Sequence, residues 1–276
     1  MGGNAGGQWV FLREAAWSAV RVALLTYATL LGYALLMADR MIFQPPQPGY
    51  TDTPEVLKLT TSDGVRISAI HVQNPGAPYT ILYSHGNAED LGGVRPRLDS
   101  IRDAGFAVFA YDYHGYGTSG GSPSERNAYR DIDAAYDYLT TSLKIPSRRI
   151  ILHGYSVGGG PAVDLAARRP VAGLILESTF TTAFRTVTRV PLFPFDRFRS
   201  IDKIGRVGCP LLILHGTADQ VIPFRNGEIL FRAAREPKRF YPVAGANHFD
   251  LVQVAGGQYG QALKAFAKLV GAGGKP

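Results

Sequence analysis

Residues 152–160 read Leu-His-Gly-Tyr-Ser-Val-Gly-Gly-Gly, and this stretch decides the fold. It contains the motif G-x-S-x-G, formed by Gly154, Ser156 and Gly158. A short apolar run predicted as a strand precedes the motif, and residues 157–168 are predicted as a helix. A serine between a strand and a helix lies on a sharp turn that presents its hydroxyl at the top of a sheet. Glycines flank it because side chains at those positions would collide with the strand and the helix. The stretch therefore predicts a nucleophile at Ser156.

A dinucleotide-binding turn is the alternative for the same residues. Gly154, Gly158 and Gly160 also form a glycine-rich turn between a strand and a helix, and Glu177 ends the next predicted strand. An acidic residue about 20 positions after such a turn is typical of nucleotide binding. However, the turn lies in the middle of the chain after several strands, and the nucleophile interpretation accounts for more of the sequence.

Outward from this stretch, apolar runs alternate with segments of helical periodicity. The predicted strands are 56–60, 65–72, 80–83, 107–111, 149–152, 171–176, 211–214 and 239–243, and the predicted helices are 95–104, 124–143, 157–168, 224–235 and 258–270. Asp63 and Gly64 form the turn of a hairpin between the first two strands. Continuous apolar strands that alternate with helices indicate an α/β fold, with a mostly parallel sheet covered by helices on both faces.

A serine hydroxyl needs a base, and six histidines are available. His248 lies in a short loop between the last predicted strand and the last helix. A base at that position follows the chain order serine, aspartate, histidine. The other five fit less well: His71 lies within a hairpin strand, His114 in a loop, and three precede glycines near strand ends, namely His85, His153 and His215. We therefore predict His248 as the base.

The predicted acid is Asp219, at the end of the loop that follows strand 211–214. Such a carboxylate holds the histidine in the correct tautomer and stabilises the imidazolium. Asp250 is the alternative, but it is only two residues from His248, which makes pairing with the imidazole awkward.

Stabilisation of an oxyanion requires two backbone N–H groups. The residue after the nucleophile, Val157, supplies one. The loop after the third strand supplies the other, and Asn87 is the predicted donor.

Six motifs in residues 41–270 carry a family resemblance: SHGNAEDLGG, YDYHGYGTSGG, LHGYSVGGGPAVDLA, ESTF, LHGTADQVIP and GANHFD. Together with FQPP after the apolar N-terminal segment, they resemble the membrane-anchored branch of the α/β-hydrolase-domain proteins, close to the serine-aminopeptidase-like hydrolases. The resemblance implies an α/β-hydrolase fold and the hydrolysis of esters or thioesters without a cofactor. Relatives in that superfamily include lipases and protein depalmitoylases. Where relatives often carry arginine, this chain has His114, which would alter specificity if it contacted substrate.

Composition excludes several classes of protein. The chain has 276 residues, of which 46% are hydrophobic and 18% charged, as expected for one large globular domain. Its only cysteine, Cys209, excludes an intrachain disulfide and a cysteine-based zinc cluster, and its apolar neighbours indicate a core position. The net charge of +7 comes from dispersed residues, without a nucleic-acid-binding motif. No metal or cofactor is implied, and no nucleic-acid partner is expected.

Residues 1–40 are predicted as a tail and a membrane anchor. The uncharged run 22–38, VALLTYATLLGYALLMA, is close to the roughly 20 residues that a spanning helix needs. A cleaved signal sequence and a buried core helix are the alternatives. The run is longer than a usual signal core, and the folded domain is complete without it. Basic residues ahead of the span favour a cytoplasmic N-terminus and an extracytoplasmic domain. Residues 41–55, rich in proline, are predicted as a linker, and residues 56–276 as the hydrolase domain.

A short cap is predicted at about residues 180–206, the insertion that sets specificity in such folds. It combines five phenylalanines with six basic residues, namely Phe180, Phe184, Phe193, Phe195, Phe198, Arg185, Arg189, Arg197, Arg199, Lys203 and Arg206. Aromatic and basic side chains beside a membrane anchor suggest contact with lipid or with an acyl chain. Packing of the phenylalanines onto the sheet is the alternative.

The function predicted from the sequence is a membrane-tethered serine hydrolase that cleaves small-molecule or lipid esters or thioesters. A serine exopeptidase with the same residues and an inactive anchored scaffold remain alternatives. A haloalkane dehalogenase is disfavoured, because its nucleophile would be an aspartate and this position holds Ser156.

Overall fold

Eight strands form one sheet in the order β1-β2-β4-β3-β5-β6-β7-β8 in the computed structural model, which describes residues 5–186 and 193–273. They are β1 (Leu57–Thr60), β2 (Arg66–Val72), β3 (Thr80–Ser84), β4 (Ala107–Tyr111), β5 (Ile150–Tyr155), β6 (Gly173–Glu177), β7 (Leu211–Gly216) and β8 (Lys238–Val243). The first two strands form an antiparallel hairpin and β2 pairs antiparallel with β4, whereas β3 to β8 pair in parallel. The predicted mostly parallel sheet with an antiparallel edge is confirmed.

Helices cover both faces of the sheet. They are α2 (Leu91–Asp103), α3 (Glu125–Asp137), α4 (Gly159–Arg168), α5 (Ser200–Ile204), α6 (Arg225–Ala233), α7 (Leu251–Ala255) and α8 (Gly257–Gly273), after an N-terminal helix α1 (Ala5–Ile42). Apolar side chains of α3, α4 and α6 form the core on one face of the sheet, and those of α2, α7 and α8 form the core on the other. The strands contribute to both cores, which explains why they read as continuous apolar runs.

Two predicted helices differ from the observed ones by four residues or more at one end. α2 begins four residues before the predicted start, because the Asp90 side chain accepts a hydrogen bond from Gly93 N at 2.9 Å and caps the helix. The predicted helix 124–143 is regular only to Asp137, after which the chain widens into a π-helical turn, Tyr138–Ser142. The short helices α5 and α7 are absent from the prediction, since five residues are too few to show a helical period.

The chain divides into two compact units, Met1–Met41 and Ile42–Pro276. In the first, Trp9–Ile42 forms a 34-residue helical stretch with a mean hydropathy of 1.6 in its most apolar window. This exceeds the roughly 20 residues that cross a bilayer. Large apolar side chains such as Trp9, Phe11 and Leu36 are exposed on it. By length and composition, α1 is a candidate membrane span.

Residues 43–52, which we call the strap, lie in the second unit within the predicted linker 41–55. Phe43 is buried, and its ring meets those of Tyr113, Tyr116 and Phe198 edge-on. Tyr50 donates a hydrogen bond to Asp112 Oδ2 at 2.5 Å. The strap is therefore packed against the domain through the buried Phe43 and the half-buried Tyr50, despite its proline-rich sequence.

Candidate active site

The turn after β5 has a strained backbone at Ser156, whose φ is +51°. This left-handed conformation is uncommon for a residue with a side chain and is typical of a nucleophile held at a sharp strand–helix turn. A Cβ atom at Gly158 would lie 2.1 Å from the carbonyl oxygen of Ser84, and one at Gly154 would lie 2.4 Å from the carbonyl oxygen of Gly158. Only glycine fits at these two positions, as the sequence motif predicts.

Three loops at the carboxyl end of the sheet bring Ser156, His248 and Asp219 together. His248 Nε2 lies 3.0 Å from Ser156 Oγ, and His248 Nδ1 lies 2.8 Å from Asp219 Oδ2. All three residues are buried. With the nucleophile hydrogen-bonded to a base, and the base to a carboxylate, the arrangement can transfer a proton from the hydroxyl to the imidazole.

Asp219 is held in its ionised form. Burial alone would raise the pKa of its carboxyl, but hydrogen bonds from His215 and His248 and from the Ile222 backbone keep that pKa well below its usual range. Its Oδ1 accepts from the backbone N–H groups of Val221 and Ile222 at 2.9 and 2.7 Å. The competing carboxylate, Asp250, instead accepts from Asn247 N at 2.6 Å.

Tyr155 contacts the imidazole from the side of the sheet. Its ring stacks on that of His248 with centroids 5.4 Å apart, and its hydroxyl donates to the carbonyl oxygen of His248 at 3.0 Å. The guanidinium of Arg97 lies 4.2 Å from the centre of the Tyr155 ring. Sequence reasoning missed both Tyr155 and Arg97, because no motif spacing reports which way a side chain points.

Glu177 belongs to a buried ion-pair network behind the site. It pairs with Arg97, accepts from Tyr259 Oη at 2.9 Å and lies 3.0 Å from His153 Nε2. Burial alone would raise the pKa of Glu177, but Arg97 and these hydrogen-bond partners lower it to about 2. Because both carboxylate oxygens are occupied within the core, Glu177 has no free face for a ribose, which argues against the dinucleotide alternative.

The loop after β3 lies against the nucleophile turn, as the close approach of Gly158 to Ser84 shows. Its residues Gly86 and Asn87 are joined by a trans peptide. His85 Nδ1 lies 2.8 Å from Gly86 O, and Gly86 N donates to Glu89 Oε2 at 2.7 Å. In the described part of the chain, the backbone N–H of Asn87 has no hydrogen-bond acceptor. The two predicted oxyanion donors, Asn87 and Val157, are therefore on adjacent segments.

His114 does not face a substrate. Its side chain is 1% exposed, with Nδ1 2.5 Å from Asp131 Oδ1 and Nε2 3.6 Å from Asp63 Oδ1. Burial alone would lower the pKa of His114, but the two carboxylates raise it. The histidine therefore connects the hairpin turn to α3 and has a structural role.

The phenylalanines of the cap fall into two groups by burial. Phe180 and Phe198 are buried in the core, whereas Phe184, Phe193 and Phe195 are half-buried and form one cluster of rings. Packing thus accounts for two of the five phenylalanines. Arg189 lies outside the described residues.

Two further features bear on chemistry. Burial raises the pKa of the Cys209 thiol to about 12, so this residue is a packing residue and not a nucleophile. Within residues 5–186 and 193–273, no group of three histidine, cysteine or acidic side chains is arranged to hold a metal ion.

Comparisons with known proteins point to one family. A family model described as serine aminopeptidase, S33, matches residues 77–194. The α/β-hydrolase domain-containing protein 17B of Xenopus tropicalis is 38% identical over 267 residues, covering 83% of this chain and 90% of that protein. The human protein 17B is 37% identical with the same coverage. Among solved structures, the Pyrococcus furiosus esterase Pf2001 superposes with a TM-score of 0.70 at 19% identity, covering 82% of this chain and 97% of that one.

Proposed function

The chain belongs to the α/β-hydrolase superfamily, in the family of the α/β-hydrolase domain-containing 17 proteins, and from that premise we propose that it is a membrane-tethered serine hydrolase of carboxylic esters or thioesters. We assign Ser156 as nucleophile, His248 as general base and acid, and Asp219 as the acid that orients the base. The observation that carries the proposal is the position of the His248 ring, which lies 3.0 Å from Ser156 Oγ on one side and 2.8 Å from Asp219 Oδ2 on the other.

In the first half-reaction, Ser156 Oγ attacks the acyl carbon while His248 Nε2 takes the hydroxyl proton. The carbonyl oxygen becomes an oxyanion, and we assign the backbone N–H groups of Asn87 and Val157 to stabilise it. Asp219 stays ionised and stabilises the imidazolium. The imidazolium then protonates the leaving alcohol or thiol as the acyl–oxygen or acyl–sulfur bond breaks, which leaves the acyl group on Ser156.

In the second half-reaction, water replaces the leaving group. His248 Nε2 removes a proton from the water, whose oxygen attacks the acyl-enzyme. The tetrahedral intermediate collapses when the same imidazole returns the proton to Ser156 Oγ, and the carboxylic acid is released. Every proton is carried by one imidazole, so no step calls for a metal or an organic cofactor.

The membrane part of the proposal rests on the length and composition of α1. A single-pass tether would keep the domain at the bilayer surface, where esters and thioesters of lipids are concentrated. The basic residues ahead of the uncharged run 22–38, Arg13 and Arg21, support an extracytoplasmic domain. A protease-protection assay on sealed vesicles, read with a C-terminal tag, tests the orientation.

A serine exopeptidase is the second candidate, because the family model that matches residues 77–194 is described as a serine aminopeptidase. The same triad could attack an amide. Such an enzyme also needs groups that bind the charged end of a peptide, and a comparison of ester with amide substrates separates the two candidates.

The test uses the full chain in detergent micelles, with wild type beside Ser156→Ala. Each is incubated with a fluorophosphonate probe, and then with p-nitrophenyl esters of increasing acyl length, an acyl thioester and an aminoacyl p-nitroanilide. We expect labelling and ester hydrolysis by wild type and neither by the variant. Labelling of a folded Ser156→Ala protein, or a preference for the anilide, would contradict the proposal.

A further inference from the structure

The strap (residues 43–52) reaches the loop that carries the proposed oxyanion donor. The backbone N–H of Gln44 donates to Asn87 Oδ1 at 2.8 Å and lies 3.1 Å from the hydroxyl oxygen of Tyr116. The Tyr116 hydroxyl donates to the same Asn87 Oδ1 at 2.7 Å. One side-chain oxygen of the loop is thus bound by two donors, and one of these comes from the segment directly after the candidate span.

The two donors are themselves held in place. Tyr116 is fully buried, and its ring packs edge-on against those of Phe43 and Tyr113. Phe43 immediately precedes Gln44 and is 3% exposed. Because Phe43 cannot move without opening the core, the Gln44 N–H stays directed at Asn87.

A fixed side chain at Asn87 restricts the backbone of the same residue. The carbonyl and the N–H of a trans peptide point in opposite directions. Gly86 O lies 2.8 Å from His85 Nδ1 and faces the core, so the N–H of Asn87 points away from it. Rotation of this peptide would break the contact between the Gly86 carbonyl and His85, whereas a displacement of the loop at Asn87 would move the N–H and the side chain together. The contacts of Asn87 Oδ1 with Gln44 and Tyr116 oppose that displacement.

We propose that the Gln44 N–H and the Tyr116 hydroxyl are positioning groups for the oxyanion donor of Asn87, and that the strap is consequently part of the catalytic machinery. The inference rests on the proposed function. The strap, whose proline-rich sequence predicts only a linker, would then affect the rate of catalysis. A displacement of about 1 Å at an oxyanion donor is sufficient to slow the chemistry substantially.

Three substitutions in the full chain test the inference. Gln44→Pro removes the backbone donor, Tyr116→Phe removes the hydroxyl donor, and Asn87→Ala removes the acceptor while it keeps the backbone N–H. We expect each to lower kcat by about 10-fold or more, with KM changed less than about 3-fold, because the interaction acts on the transition state. The double variant Gln44→Pro/Asn87→Ala should be no slower than the slower single variant, since both changes break the same contact.

Tyr136→Phe is the matched control. It removes the same atom from a buried tyrosine, whose hydroxyl donates to Pro170 O at 2.6 Å away from the candidate site. We expect its kcat to stay within about twofold of wild type. The rate of amide hydrogen exchange in a peptide covering residues 84–90 should rise in the three test variants and not in the control. This measurement reports on the order of the loop independently of turnover.

The outcomes distinguish the two proposals. A wild-type chain that neither hydrolyses esters nor labels at Ser156 overturns the proposed function, and the positioning role with it. An active wild type whose folded Tyr116→Phe and Asn87→Ala variants keep their kcat overturns the positioning role alone. Additive losses in the double variant would also contradict it, because they would show that the two groups act separately.

Discussion

The Tyr155 hydroxyl donates to the carbonyl oxygen of His248 at 3.0 Å, and the two rings stack with their centroids 5.4 Å apart. Tyr155, the residue directly before the proposed nucleophile, therefore contacts both the backbone and the side chain of the proposed base, His248. Arg97 lies over the same tyrosine ring, and Glu177 pairs with Arg97. A chain of contacts thus connects the buried ion pair to the imidazole of the proposed base.

Tyr155→Phe and Tyr155→Leu separate the two contacts. The first keeps the stacked ring and loses one hydrogen bond, which is worth about 0.5–1.5 kcal/mol, so we expect kcat/KM to fall roughly 2- to 12-fold. The second also loses the ring, and we expect a larger fall. Steady-state hydrolysis of a p-nitrophenyl ester measures both. Equal rates for the leucine variant and wild type would show that His248 is positioned without Tyr155.

The assignment of the acid can be tested with Asp219→Asn and Asp250→Asn. Loss of the Asp219 carboxylate removes the group that selects the imidazole tautomer, and we expect kcat to fall by about 10²–10⁴-fold. Asp250→Asn keeps an oxygen that can accept from Asn247 N, so its rate should stay within about 3-fold of wild type. The reverse order of activities would move the acid to Asp250.

The sequence predicted the three proposed catalytic residues, but it did not predict the contacts that hold them and the oxyanion donor in position. Ser156, Asp219 and His248 each follow a predicted strand, and the carboxyl ends of parallel strands meet at one edge of a sheet, so chain order alone was enough to predict that they meet. Gly154 and Gly158 carried a further signal, because only glycine tolerates their close backbone contacts.

The supporting contacts could not be predicted in this way. Gln44 acts through its backbone N–H, which leaves no trace in residue type, and its partner Asn87 is 43 residues away. Three prolines in residues 43–52 indicate an extended chain but not the surface on which it lies. Likewise, the sequence left open whether His114, in the loop after β4, contacts substrate. The position of Asp131 on α3 shows that the histidine is paired and buried.

The pKa of Glu177 predicts a dependence of stability on pH. The folded value is about 2 and the ordinary value is 4.5, so the unfolded state binds the proton more tightly. The stabilisation is complete above pH 4.5 and is lost as pH falls toward 2. The shift corresponds to about 3 kcal/mol of unfolding free energy. We expect Glu177→Gln to be less stable than wild type near neutral pH and the difference to shrink on acidification.

Thermal unfolding followed at pH 7, 5, 4 and 3 measures this difference. Glu236→Gln is the control, because its side chain is 75% exposed and contacts Lys238 through the ammonium group at 3.8 Å and through the backbone N–H at 3.0 Å, and a glutamine oxygen can still accept the latter bond. It should follow the wild-type curve throughout. A constant difference between wild type and Glu177→Gln across the pH range would mean that Glu177 titrates at the same pKa in both states.

Exposed arginines of the cap are predicted to contact an anionic bilayer. Arg185, Arg199 and Arg206 are exposed, and each basic residue near such a surface contributes about 1 kcal/mol. In a chain that begins at Ile42, their joint replacement by glutamate should lower partitioning onto phosphatidylserine vesicles by roughly 100-fold or more. The same change at three exposed arginines outside the cap, Arg232, Arg235 and Arg239, should have a smaller effect. Unchanged partitioning of the cap variant would exclude this surface as a lipid contact.

The position at which the tether is removed should decide whether the remaining domain is active. A chain that begins at Ile42 keeps the strap, whereas one that begins at Val56 loses the buried Phe43 ring, the Gln44 donor to Asn87 and the bond from Tyr50 to Asp112. Removal of a buried phenylalanine side chain alone costs about 3–5 kcal/mol.

We therefore expect the longer chain to retain the kcat of the full-length protein toward a soluble ester. The shorter chain should unfold at a lower temperature and, where it is still folded, hydrolyse the ester at least about 10-fold more slowly, because an oxyanion donor is no longer held in place. Adding a Tyr116→Phe substitution to the shorter chain should slow it further, because the Tyr116 hydroxyl is then the remaining donor to Asn87 Oδ1. Equal kcat values for the two truncated chains would show that residues 42–55 serve only as a connection.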